Sequence, residues 1–141
     1  MINSNHKSLT LTPLSKNSIS NYIDQLNRIK KGELHLWNDS KIGNSKRGDY
    51  FGYVINKQKI IDGKIIIYKI LEVLPPRYSL EYWENRTRNV VILSNNPIYE
   101  GDVSILFKTL GYSDKYKQQN TMKISKKHSK KLQDYFKIIL N

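Results

Sequence analysis

KIIIYKILEV, residues 64–73, is rich enough in β-branched and aromatic residues to form a long, central strand. Pro75 and Pro76 end it, because proline brings no N–H to a ladder. Just upstream, IDGK at residues 61–64 carries the Asp-Gly pair favoured in two-residue hairpins. Working back toward the N-terminus, Phe51, Tyr53 and Ile55 alternate with Tyr50, Gly52 and Val54 after the turn KRGD, and Leu34 and Leu36 alternate with Glu33, His35 and Trp37. Both stretches read as strands. Ile19, Tyr22, Ile23, Leu26 and Ile29 recur at helical spacing before them, with Asn17 or Ser18 as cap and Gly32 as stop. Residues 1–16 show no period and read as a flexible arm outside the core, followed by a single domain over residues 17–141.

Downstream of the long strand, SLEYWENRT (79–87) reads as a short helix or a structured loop and NVVILSN (89–95) as a buried strand. VSILFKTLGY predicts a helix closed by Gly111, and NTMKIS a last strand. A final helix, capped by Ser125 or Ser129, carries the stripe Leu132, Tyr135, Phe136 and Ile139. This order indicates an α+β domain built on a small curved sheet or open barrel of about five to six strands flanked by helices.

The 141 residues suffice for one core without staples. There is no cysteine, and His6, His35 and His128 have no metal-ligand spacing, so neither a disulfide framework nor a metal or other cofactor is expected. No apolar run approaches the length of a membrane span, and the polar start lacks the apolar core of a secretory signal. The reading is an intracellular monomer, cytoplasmic or nuclear, with no membrane partner.

The net charge is +12, from 24 Lys plus Arg against 12 Asp plus Glu. That excess suggests a polyanionic partner, most simply nucleic acid. A blander cause competes: 19 of the 24 cations are Lys and no Ala occurs, the bias of an AT-rich genome. The cations nevertheless cluster. From Lys115 onward eight lysines, Lys115, Lys117 and Lys127 among them, face a lone Asp134, while residues 72–84 hold Glu72, Glu81 and Glu84 against Arg77.

The arrangement resembles the PUA-like superfamily, in particular its EVE and YTH branches. The matching segments are LHLW with its following loop, KRGDYFGYV, IIIYKILEV, EYWENR, VVILSN and ILFKTLGYSDKYKQQNTMKIS, which together span about residues 33–138. The resemblance implies a reader: a domain that takes one base, often methylated, out of RNA or DNA and holds it in an aromatic cage. In YTH domains one cage tryptophan ends the first strand before a Ser-containing, Gly-Asn loop, and Trp37, Ser40, Gly43 and Asn44 look like a stretched form of that pattern. A second precedes a later strand, as Trp83 does.

Such a cage needs aromatic walls for the base faces and fixed amides or hydroxyls for its edge. Trp37, Trp83 and Tyr53 are the candidate walls, and Asn38, Ser40, Ser94 and Asn95 the candidate edge contacts. Lys46, Arg47, Arg86 and Arg88 flank the tryptophans and, with Lys115, Lys117 and Lys127, are candidate phosphate contacts. Spacing alone favours Trp37 and Trp83 as core anchors, and for Asn95 a place in the turn before Pro97 is favoured. Catalysis has little support, since no cysteine, GxSxG elbow or carboxylate cluster occurs. The enzymatic alternative is an ASCH-like ribonuclease using Lys46, Asp49 and Tyr53, and a third reading is a protein-interaction domain docking through basic helix 126–140.

Overall fold

Residues Lys64–Leu74 form the longest strand, as their composition predicts, and every other strand is arranged around it. The computed structural model describes residues 7–55, 63–80, 83, 85–113, 118, 120–124 and 128–140. In chain order the elements are β1 (Leu9–Pro13), α1 (Lys16–Lys30), β2 (His35–Asn38), β3 (Tyr50–Ile55), β4 (Lys64–Leu74), β5 (Val90–Leu93), β6 (Tyr99–Asp102), α2 (Val103–Leu110), β7 (Met122–Lys123) and α3 (Ser129–Leu140). The sheet runs β2-β5-β4-β3-β1-β7, with β6 added alongside β4. It is mixed: β1 runs parallel to β3, and the other pairs are antiparallel. The fold is α+β, with an open sheet flanked, among the described residues, by α1, α2 and α3.

Both faces of the sheet are covered, which explains why β4 is apolar without a polar face. Ile65 and Ile67, with Val54, Leu9 and Leu11, pack beneath α2 and α3; Ile66, Tyr68 and Ile70, with Phe51 and Tyr53, pack beneath α1. At Leu71 the alternation shifts. The register of β4 on β5 slips between Ile70 and Glu72, so one extra residue is inserted and Leu71 turns outward, 44% exposed. Ile70 and Val73 therefore serve the same cluster although three positions apart. The bulge also divides the strand's work: its first half pairs with β3 and β6, its second with β5.

Residues 9–13 correct the expectation of a loose arm. They form β1, Leu9 and Leu11 are completely buried, and the strand lies between β3 and β7. Five residues are too few to show a period, and the alternating threonines are themselves buried. Among the described residues there are seven strands rather than five or six, because β1 and β6 carry little sequence signal. The helix cap also shifts. Ser15, not Asn17 or Ser18, is the N-cap of α1, and Ser18 closes the capping box by accepting from the Ser15 amide at 2.7 Å. Ile23 points to water at 50% exposure, so the buried stripe of α1 is narrower than the spacing suggested. Gly111 ends α2 in the left-handed region at φ +90°, as expected of a C-terminal glycine.

Several expected features lie outside the described residues: Ile61 and Asp62 of the hairpin, Glu81, Tyr82 and Glu84 around Trp83, the basic positions Lys115, Lys117 and Lys127, and Ser125 as a cap. Among the described residues, no helix is long and apolar enough to cross a membrane.

Candidate nucleic-acid interface

Strand β2 ends where β5 begins, since Asn38 stands opposite Val90 and Trp37 opposite Val91. Pairing of β5 with the end of β4 brings Leu74 to the same place. Three segments thus meet at one end of the sheet: the loop leaving β2, the chain after Pro75, and Trp83 with residues 85–89 leading into β5.

Trp37 and Trp83 converge there. Their ring centroids are 6.5 Å apart at 67°, an edge-to-face contact, and both are buried, at 4% and 5% exposure. Trp37 meets Tyr53 on its other side at 4.9 Å, again nearly perpendicular. The three expected cage walls are therefore one cluster, but its rings pack on each other and leave no parallel slot. Asn38 holds the second tryptophan's loop in place: its side-chain amide donates to the Asn85 carbonyl at 2.7 Å.

Tyr53 is corrected from cage wall to core. It is completely buried and its hydroxyl bonds His35 Nε2 at 3.0 Å. His35 Nδ1 lies 3.1 Å from the Ser94 carbonyl, which can only accept, so Nδ1 carries the proton, Nε2 accepts, and Tyr53 donates. Burial pushes the His35 pKa down to about 4, against the opposing pull of the Ser94 carbonyl, so the ring is neutral at physiological pH. Beside it, the Tyr22 and Tyr68 hydroxyls pair at 2.8 Å, and burial raises both phenols. This network fixes the floor under Trp37.

The polar candidates disperse. Ser94 is corrected from edge contact to strand connector: its hydroxyl accepts from the Lys69 amide and donates to the Asn96 carbonyl, bridging the break between β5 and β6. Asn95 is exposed in the adjoining bend, the turn before Pro97 that its context allowed. Ser40 is exposed, with its amide bonded to Asp39 Oδ1. Only Asn38 stands at the tryptophan pair, already engaged. Arg47 is paired with Glu72 at 2.7 Å, and this contact holds the Glu72 carboxyl below its ordinary range. Both side chains are well exposed, so the pair adds little stability. Lys46 sits in the KRGD turn, its amide bonded to Asp49.

Arg86 is placed differently. Asn85 Oδ1 accepts from the Thr87 amide at 2.9 Å, a tight Asx turn that presents Arg86 to solvent. Across from it, Pro76–Tyr78 forms a single helical turn in which the Arg77 guanidinium lies 5.2 Å from the Tyr78 ring centroid. Pro76, Arg77, Arg86 and Thr87 line an open groove of about 500 Å³. Arg88 follows, half-buried, at the entrance to β5. Arg77 was missed by the sequence reading, which counted it as a lone cation among glutamates. Its signal was the preceding Pro-Pro pair, which restricts the backbone ahead of it.

Comparison of the sequence with known protein families and with curated proteins gives no match. Among solved structures, the crystal structure of ASCH from Zymomonas mobilis is similar at 11% identity, covering 89% of this chain and 94% of that chain with a TM-score of 0.46.

Proposed function

We propose that the protein is a nucleic-acid-binding domain that holds a single strand by its phosphates in the Arg77–Arg86 groove, with Trp83 as the adjoining base platform. The observation that carries this reading is the placement of arginine. Only five of 24 cations are arginines, yet three of them, Arg77, Arg86 and Arg88, fall within twelve residues, and two line one groove. A composition that favours lysine does not explain that concentration. Guanidinium is weakly hydrated and presents a planar fork that matches two phosphate oxygens, which a lysine ammonium does not.

The base-cage reading takes a narrower form here. Trp37 is the fixed inner wall, held by Tyr53, and a base enters only when Trp83 swings off it. Stacking of a base on an indole is worth about 1 to 3 kcal/mol, and both that gain and any contribution of a methyl group come only once Trp83 has moved and the pocket has opened. Phosphate contact is therefore the primary attraction, and recognition of a modified base is secondary.

The test is a salt titration with a short single strand. Replacing Arg77 and Arg86 by Ala should lower the slope of log affinity against log salt by about 1.4, two contacts at ~0.7 each. Trp83→Ala should weaken binding at every salt concentration without changing the slope. An unchanged slope in the double arginine variant overturns the groove. Identical affinities for methylated and unmethylated strands, with and without Trp83, would remove the modified-base part alone.

A further inference from the structure

The entrance to β3 gathers a second set of charges, away from the arginine groove. Lys123 on β7 extends its Nζ to 3.3 Å from Ser45 Oγ, and Ser45 is itself only 8% exposed. The Ser45 amide is fixed by the Ile42 carbonyl at 2.7 Å, so the hydroxyl is anchored at its backbone. Since ammonium can only donate, Ser45 Oγ accepts from Lys123 and keeps its own proton to give. Gly48, at φ +93°, leaves room for a third group: Lys7 Nζ lies 3.0 Å from where a Cβ would stand. Lys46 opens the same turn and is exposed.

The acid within this set is Asp49, and it is already engaged. Its Oδ1 accepts from the Ser8 amide at 3.2 Å and its Oδ2 from the Lys46 amide at 2.9 Å. Among the described residues, none of Lys7, Lys46 and Lys123 enters an ion pair. Lys123 is held in an unfavourable place. Burial lowers its pKa, Asp49 opposes that, and Lys46 lowers it further.

Three lysines at the entrance to β3, one of them on the Ser45 hydroxyl, against one carboxylate leave an excess of two positive charges beside a hydroxyl with a proton to donate. A phosphomonoester carries about −1.5 to −2 at neutral pH and several acceptor oxygens, whereas an internal phosphodiester carries one charge. We propose that Ser45, Lys123, Lys46 and Lys7 form a binding site for a phosphomonoester, carried either on the end of a nucleic-acid strand or on a mononucleotide. The site does not depend on the arginine groove, and the two can fail separately.

The experiment compares one oligonucleotide in 5′-phosphorylated, 3′-phosphorylated and unphosphorylated forms, with a nucleoside monophosphate and its nucleoside as small-molecule arms. A phosphorylated ligand should bind about tenfold more tightly than its unphosphorylated counterpart, the effect of one added charge-assisted hydrogen bond. Lys123→Gln and Ser45→Ala should each abolish that increment while leaving the unphosphorylated strand's affinity unchanged. The Arg77→Ala/Arg86→Ala variant should weaken both strands equally and preserve it. An increment confined to the mononucleotide arm would identify the free nucleotide as the ligand. Because Ser45 and Lys123 are partly buried, Lys46→Gln at the exposed position serves as a second variant and should reduce the increment with the fold intact. NMR titration of the Lys123 side chain should show its pKa rising on addition of nucleoside monophosphate. Equal affinity for phosphorylated and unphosphorylated ligands in both formats, or a Lys123 pKa unmoved by the monophosphate, overturns the site.

Discussion

His35 looked unremarkable in the sequence, one of three scattered histidines, yet it ties the aromatic cluster together. Its proton position is forced by two partners of unequal character: the Ser94 carbonyl can only accept, so the Tyr53 hydroxyl must give. Tyr53→Phe leaves Nε2 as a buried acceptor without its donor and should cost about 1 to 3 kcal/mol in a urea unfolding experiment. The pH dependence has a definite sign. With a folded value near 4 against an ordinary 6.5, the unfolded chain takes up the proton first as pH falls. The contribution is therefore fully present above pH 6.5, declines between 6.5 and 4, and is constant below, a total of about 3 kcal/mol. Comparing unfolding midpoints at pH 7 and 4.5 in wild type and His35→Gln checks it: the variant should lose most of the difference. An equal difference in both proteins would assign the effect to carboxylates instead.

β1 is the element that the sequence concealed. Leu11→Ala should destabilise the protein by about 2 to 5 kcal/mol, as expected for a buried leucine, whereas truncation within a loose arm would change nothing measurable by thermal unfolding. Crowding at its neighbour makes the same point: a Cβ on Gly52 would meet Leu11 Cδ2 at 2.7 Å, so any side chain there must displace the buried leucine. Strands β2, β3, β4 and β5, and all three helices, were legible because apolar period and punctuating Gly, Pro and Ser agreed in each. β1 and β6 were not. LTLTP is short and its threonines are buried as fully as its leucines, and YEGD is a polar strand that exists because β4 offers it an edge. The site was legible to a similar degree. Trp37 and Trp83, expected as a pair, lie beside each other, since Trp37 stands where β2 pairs with β5, the strand that follows Trp83. Their mutual packing was not readable, because ring orientation depends on Tyr53 across the sheet. Nor was the role of Ser94, whose hydroxyl is consumed by a backbone gap between β5 and β6 that only the register reveals.

At the scale of the molecule, three layers distribute stability unevenly. The first half of β4 is bonded along both edges, to β3 and β6, while β7 contributes two residues at the outer margin. Hydrogen exchange should therefore find its slowest amides within residues 65–68 and much faster ones at residues 122–123. Comparable protection in the two would mean that the sheet opens as a single unit. The basic groups follow the same division, with Arg77 and Arg86 beyond the end of β4 and Lys123 on the outer margin. The position of β1 between β3 and β7 also governs the order of assembly. Thr10 pairs with Lys123, more than a hundred residues later, and Thr12 meets Thr121 at 3.0 Å. During synthesis β1 must wait first for β3 and then, much later, for β7 before both its edges are paired. One edge of β1 is therefore closed only by a pairing that spans more than a hundred residues, and long-range pairings of this kind slow folding.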